Sequence, residues 1–238
     1  MIITIANLYP DLLNLYGDFG NIRTLCYRLN ERGYEAKVTE YFVGDAIDFD
    51  NTDIIYLGGG GEKELIAVNE ELCPVRDKLK SYVEDGGVML ATCSGFEILG
   101  KTFETESGVF DGLGILNISS SWNKDRFIGD VILDSTLVND KIVGFENHNT
   151  RIEIGSYEPL GIVQCGCGND GINGREGVCY KNLIATFLHG PLLPKNPSLA
   201  DYILFKALER KGDSTPFISI DDTEENAARE YMLKKIMK

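Results

Sequence analysis

A thiol and an imidazole are the two groups in this chain best suited to covalent chemistry. Cys93 lies in the run Gly86-Gly-Val-Met-Leu-Ala-Thr-Cys93-Ser-Gly-Phe-Glu-Ile-Leu-Gly100, which reads as an apolar strand, one sharp turn and a helix. Such an elbow sets its middle residue at the carboxyl end of a sheet, with the next backbone N–H groups and the helix N-terminus aimed at it. The setting is expected to lower the pKa of the thiol and to supply an oxyanion pocket. The plainer alternative is a buried cysteine at a strand end. A histidine base for Cys93 has to be His148 or His189, because the chain has only 2 histidines. His189 follows the apolar run 183–188, so it also falls at a strand end. There an imidazole can take the thiol proton, and the thiolate can attack a carbonyl to give a thioester that water resolves; it can equally cap a loop. His148 sits in the all-polar run Glu146-Asn-His-Asn149 and reads as a solvated or loop-bonding residue.

Two other clusters invite chemistry. The loop Gly58-Gly-Gly-Gly61 lacks the Gly-Lys-Ser/Thr of a nucleotide loop and the spacing of a dinucleotide fingerprint. What it offers is a backbone with exposed N–H groups ahead of a helix, suited to an oxyanion or a carboxylate, or simply a tight turn. Cys165, Cys167 and Cys179 have poor zinc spacing and lack a fourth ligand, so no metal and no cofactor is expected.

The elements that must carry these groups alternate. Residues 2–6 read as a buried strand, and Asn21 as the cap of a helix over 22–31 that stops at Gly33. Strands follow at 36–42 and 52–57, then helices at 62–69 and 74–84, then the strand into Cys93. This order predicts a three-layer α/β/α fold with a mostly parallel, flavodoxin-like sheet, whose ligands sit beyond the carboxyl ends of its strands. The glycine loop and Cys93 both fall at such ends. From 107 to 160 the pattern changes to short β runs at 116–120, 126–133 and 142–145, grafted on as hairpins. The glycine-dense stretch 161–177 reads as a hairpin with a wide turn. Ser198 reads as the cap of a last core helix over 199–209, and a charged helix at about 222–238 forms a peripheral tail or partner contact. The domain expectation is therefore 1–211 for the sheet and 212–238 for a polar linker and C-terminal helix.

Composition narrows the function. The 238 residues are 43% apolar and 10% aromatic, enough for a large core. A net charge of −14 with no local Lys/Arg cluster argues against nucleic acid and anionic lipid surfaces. No signal pattern or run near ~20 apolar residues is present, so a cytoplasmic protein without membrane insertion is expected. The 6 cysteines fit free thiols in a reducing compartment.

The order of glycine loop, Thr-Cys93-Ser-Gly elbow and late His189-Gly-Pro resembles the triad-type (class I) glutamine amidotransferases, in the cobyric-acid-synthase-like branch. Within it, Tyr16-Gly-Asp-Phe-Gly-Asn21, Gly144-Phe-Glu-Asn-His148, Glu176-Gly-Val-Cys-Tyr-Lys-Asn182 and Leu188-His-Gly-Pro-Leu-Leu-Pro-Lys-Asn-Pro197 are similar to the glutaminase subunits of lipid II isoglutaminyl synthases. The resemblance covers about residues 1–210 and is most specific around His189. It implies hydrolysis of L-glutamine, with ammonia passed to a Mur-ligase-like, ATP-dependent synthetase subunit (MurT type) in a heterodimer. It also implies Cys93 as nucleophile and His189 as its base. The N–H of Ser94 with that of Gly59 or Gly60 would form the oxyanion hole, and Arg126 would hold the glutamine α-carboxylate, a role that a guanidinium fork suits. Two positions depart from the family pattern. Pro191 stands where triad enzymes have Glu, so the dyad lacks its orienting carboxylate or borrows one in trans, and activity of the chain alone is expected to be weak. Glu97 stands where the elbow commonly has Gln. Two alternatives stay open: an amidotransferase of the same branch serving a corrinoid-type synthetase, and a non-catalytic flavodoxin-like binding module.

Overall fold

The computed structural model describes residues 1–236; the last two positions of the expected tail helix, 237 and 238, lie outside the described residues. The first half of the chain alternates strand and helix as its hydrophobic pattern requires. The elements are β1 (Ile2–Leu8), α1 (Phe19–Glu31), β2 (Glu35–Tyr41), β3 (Ile54–Leu57), α2 (Glu62–Leu72), α3 (Arg76–Glu84), β4 (Val88–Thr92) and α4 (Ser94–Glu97). A hairpin of β5 (Thr102–Thr105) and β6 (Gly108–Asp111) follows, then β7 (Ser120–Ser135), β8 (Lys141–Ile152), β9 (Gly161–Cys165) and β10 (Arg175–Glu176). The chain returns through β11 (Val178–Tyr180), β12 (Leu183–Thr186) and α5 (Pro197–Arg210), and ends in α6 (Thr223–Ile236).

The central sheet runs β11-β12-β4-β3-β1-β2, parallel except for the edge strand β11. Every residue of β3, β4 and β12 is buried, as continuous apolar strands covered on both faces must be. Alternate side chains divide between two cores. Leu57, Leu65, Val68, Leu79 and Phe96 pack on the face covered by α2, α3 and α4. Ile5, Ile54, Leu25, Leu29, Ile203 and Leu204 pack on the face covered by α1 and α5. The second sheet, β10-β9-β7-β8, is antiparallel and contributes Val131, Leu133 and Ile142 to the second core, joined by Leu160 just before β9.

Several local expectations need correction. Asn21 is the third residue of α1, and its buried side chain donates to the Tyr56 hydroxyl (3.1 Å) and accepts from the Leu193 N–H (2.8 Å). A capping residue type has been used as a core tie. Ser198 lies inside the first turn of α5 and bonds Asp140, while Asn196 takes the cap position and clasps both backbone groups of Val143. The run 116–120 is strand only at Ser120, and the helix after Cys93 is a single turn. The 74–84 helix begins as a 3-10 turn, Cys73–Val75, because Pro74 has no N–H to donate. The tail helix docks by its polar face: the buried Arg28 guanidinium bridges Asp201 of α5 and Asp222 at the start of α6, and Arg229 pairs with Asp140.

Candidate active site

Cys93 follows directly on β4, and the turn forces it to φ 53°, ψ −121°, a conformation that costs a non-glycine residue energy and persists only where the surroundings impose it. The surroundings are tight. A Cβ on Gly95 would lie 2.7 Å from the carbonyl oxygens of Leu57 and Gly58, so only glycine lets the elbow cross the end of β3 at this distance. The Cys93 N–H donates to the Thr186 carbonyl (2.7 Å), which fixes the elbow to the neighbouring strand. Thr92 and Thr186 are register partners, so Cys93 stands one residue, and His189 three residues, beyond paired positions on adjacent parallel strands. The two sequence candidates therefore meet at one edge of the sheet.

That edge opens into a cavity of about 550 Å³ whose wall includes Cys93, Ser94, Gly60, Glu97, Arg126 and His148. Arg126 reaches it because β7 bulges between Trp122 and Phe127, which re-aims the side chain. Its guanidinium is held by the side chains of Asn147 and Asn149 on β8. The Ser94 backbone N–H favours the thiolate of Cys93. Of the two loop glycines, Gly60 commits its N–H to the Ser94 hydroxyl (2.7 Å), whereas Gly59 packs so close that a Cβ there would lie 2.7 Å from the Cys93 Cβ. His189 is fully buried and does not line the cavity. Its backbone N–H donates to the Phe145 carbonyl (3.0 Å), and neither ring nitrogen has a hydrogen-bond partner among the described residues. No hydrogen bond joins the Cys93 thiol to the His189 ring among the described residues.

The electrostatics correct one expectation. The elbow does not lower the Cys93 pKa in this state: burial pushes the thiol well above its ordinary value, and the Glu97 and Asp18 carboxylates push it further. Burial likewise pushes His189 down to about 4. Both shifts favour the uncharged forms, a neutral thiol and a neutral imidazole. Glu97, also buried, is pushed up to about 7 and accepts from the Thr150 hydroxyl (2.8 Å).

Polar groups behind the elbow hold it in place. Asp18, pushed up to about 6 by burial, accepts from the Gly190 N–H (3.1 Å) and the Thr92 hydroxyl (3.0 Å), joining the residue before Cys93 to the residue after His189. Tyr56 extends the network from Thr92 to Asn21. Glu176 accepts from the Thr186 hydroxyl (2.8 Å) and the Phe187 N–H (2.7 Å), fixing the chain as it leaves β12. Pro191 packs against α1, where a Cβ on Gly20 would lie 2.5 Å from its ring, and so fills the position of the missing family carboxylate.

His148 departs from its sequence reading. It is 3% exposed, stacks on Phe187 (centroids 3.8 Å, 4° between planes), bonds the Thr150 carbonyl through Nδ1 (2.8 Å) and lines the cavity. Its Nε2 lies 3.8 Å from buried Glu146. Glu146, His148 and Thr150 alternate as buried residues along β8, so an all-polar run here forms the strand's inward face. Asp18, Asn147 and Thr150 were also missed, since nothing in their local pattern separates them from loop polar residues.

A mostly parallel sheet covered by helices, with a thiol on a strained elbow at its carboxyl edge, defines an α/β protein of the class that carries its site at a strand-turn-helix junction. A family model described as a CobB/CobQ-like glutamine amidotransferase domain matches residues 4–197, and the chain belongs to that family. More particularly, it is 39% identical over 234 residues, 98% of this chain and 96% of the other, to the lipid II isoglutaminyl synthase (glutamine-hydrolyzing) subunit GatD of Staphylococcus aureus (strain N315). It is 35% identical over 212 residues, 88% and 82% of the two chains, to the GatD subunit of Streptococcus pneumoniae (strain ATCC BAA-255 / R6). A crystal structure of a glutamine amidotransferase superposes with a TM-score of 0.56 at 19% identity, covering 85% of this chain and 98% of that one, and shares the fold.

Proposed function

We propose that the chain hydrolyses L-glutamine to glutamate and ammonia as the glutaminase subunit of a lipid II isoglutaminyl synthase. The observation that carries this is the Cys93 thiol on a strained elbow at a cavity that also presents a fixed guanidinium, Arg126. The cavity is amphoteric: Arg126 and Lys124 suit an α-carboxylate, and Glu62, Glu97, Glu104 and Glu106 suit an α-ammonium, as a zwitterionic amino acid requires. Cys93 Sγ attacks the amide carbon while His189 takes the thiol proton. The N–H groups of Ser94 and Gly59 receive the developing oxyanion. The tetrahedral intermediate collapses as His189 returns the proton to the departing nitrogen, which leaves as ammonia. Water, deprotonated by His189, then cleaves the thioester to release glutamate.

The names of the two GatD relatives, subunits of a lipid II isoglutaminyl synthase, support a synthetase partner; we take it to be a Mur-ligase-like, ATP-dependent subunit of MurT type that amidates the D-glutamate of lipid II in a heterodimer with this chain. We take 1–211 as the amidotransferase domain and 212–238 as its appendage. Among the described residues no helix is long and apolar enough to cross a membrane, and the acidic chain leaves the anionic acceptor to the partner; a cytoplasmic location follows from this reading. The test is glutamate release from glutamine by the chain with its synthetase. Activity is expected to be weak alone, to rise with the partner and to vanish in Cys93→Ala; undiminished release by that variant would sink the assignment.

A further inference from the structure

We propose that Tyr16, stacked on His189 and hydrogen-bonded through Asn147 to Arg126, is the positioning residue that orients the base in a dyad to which no described residue of the chain supplies a carboxylate. The proposal rests on the glutaminase reading of Cys93 and His189. A histidine ring whose nitrogens have no partner is free to turn about its last torsion, which is broad and weakly restricted. Here the ring plane is set instead by aromatic contacts: Tyr16 lies face to face with it (centroids 4.6 Å, 17° between planes), and Phe145 meets its edge at 5.8 Å and 80°.

Tyr16 is not placed there by the core, since it is 46% exposed. Its backbone is left-handed at φ 61°, ψ 19°, which a tyrosine adopts only when held. The side-chain hold is visible: Asn147 Nδ2 donates to the Tyr16 hydroxyl (2.7 Å), and Asn147 Oδ1 accepts from Arg126 Nε. One line of contacts therefore runs from the carboxylate clamp through Asn147 and Tyr16 to the base. A glutamine whose carboxylate engages Arg126 acts on the group that fixes the imidazole, which gives a bond-free dyad a way to align only when substrate is present.

Tyr16 also keeps water from the ring. The charged or titratable groups acting on His189 are Arg126 from β7, His148 from β8 and Lys195 from the turn before α5, with Asp18 accepting from the neighbouring Gly190 N–H. All remain when Tyr16 is replaced, so a change in the titration of His189 reports its lost cover.

The experiment compares Tyr16→Phe, which keeps the stack and loses the tie, Tyr16→Ala, which loses both, and Asn147→Ala, which loses the tie from the other side. Glutaminase kinetics are read against pH in the complex with the synthetase, and imidazole titration by NMR on the labelled chain, the two histidines told apart with His189→Gln. Tyr16→Ala is expected to lower kcat ~30-fold with KM within about 2-fold, and to move the His189 midpoint upward by about 1 pH unit or more. Tyr16→Phe and Asn147→Ala are each expected to lower kcat about 5-fold and the double variant no further than either, because both remove the bond between Asn147 and Tyr16; Asn147→Ala is expected to raise KM as well, since it also frees Arg126 Nε. A Tyr16→Ala protein with wild-type kcat and an unmoved His189 titration overturns the proposal, as do Phe and Ala losses that multiply. If the wild-type complex hydrolyses glutamine at the rate of Tyr16→Ala, the positioning role alone falls. If the wild-type complex hydrolyses none, the glutaminase reading falls and takes the proposal with it.

Discussion

Arg126 and Glu97 look into the same cavity as Cys93 and do different work there. Arg126 is fixed by Asn147 and Asn149 before any ligand arrives, so its fork is already set for a carboxylate. Arg126→Ala is therefore expected to raise KM for glutamine ~30-fold or more, and Arg126→Lys to recover only part of it, because an ammonium cannot bond in two parallel lines. Initial rates over a range of glutamine concentrations check this; an unchanged KM removes Arg126 from the site. Glu97 titrates near 7, so it is mostly neutral at pH 6 and mostly ionised at pH 8. Its anion opposes formation of a second anion on Cys93. Glu97→Gln is expected to speed alkylation of Cys93 by iodoacetamide several-fold at pH 8 and little at pH 6. Rates followed on the Cys93 peptide by mass spectrometry test this, and equal effects at both pH values would contradict it. The placing of Cys93 and His189 at the ends of neighbouring strands was legible in the apolar pattern, whereas Arg126 and the oddity of Glu97 stood out only through the family resemblance. His148 was not: its polar neighbours disguised a buried strand face, and burial of polar residues is decided by tertiary packing that no local pattern encodes.

At the scale of elements, the site depends on two glycine-bearing turns at the ends of β3 and β4. Gly59 faces Cys93 so closely that any side chain must push the nucleophile away. Gly59→Ala is expected to fold, since the clash falls on one side chain at the cavity rather than within the sheet, yet to lose ~100-fold in kcat through a displaced thiol and oxyanion N–H. Circular dichroism and glutamate release together test it; near-normal turnover would show that the loop can retreat. The alternation of strands and helices, the hairpin at 161–177 and the parallel sheet were all readable, because apolar period and glycine punctuation are local signals. What escaped reading was long-range use of polar side chains. Asn21, Ser198 and Asn196 have the composition of caps, and two of them serve instead as ties to Tyr56, Leu193 and Asp140, partners distant in sequence.

Across the whole molecule, buried acids set the response to pH. Glu176 is pushed up to about 8 by complete burial, and Glu97 and Asp18 to about 7 and about 6. Between the ordinary carboxylate range and those values, the folded chain keeps protons that the unfolded chain has released, so stability falls as pH rises. His189 acts in the opposite sense below its ordinary 6.5, where the unfolded chain binds a proton that the folded chain refuses until about 4. Stability is thus expected to decline from about pH 6.5 to 8, and Glu176→Gln to flatten that decline by a few degrees in Tm, since a neutral amide retains the Phe187 bond. A decline of equal slope in the variant would assign it elsewhere. The α6 anchor rests on Arg28 between Asp201 and Asp222. Arg28→Met strips Asp222 of its cation and leaves Asp201 with Arg32 alone, and is expected to cost about 3 kcal/mol in denaturant unfolding; a change within error would show that the tail is held by other contacts. The proposed nucleophile is one thiol, Cys93, among 6 cysteines. The most direct measurement is covalent capture by a diazo-ketone analogue of glutamine in the presence of the synthetase partner. One adduct confined to Cys93, formed more slowly in excess glutamine and absent from Cys93→Ala, is the predicted result. Labelling of Cys93 no faster than of Cys26 and Cys73, or indifferent to glutamine, would contradict the account.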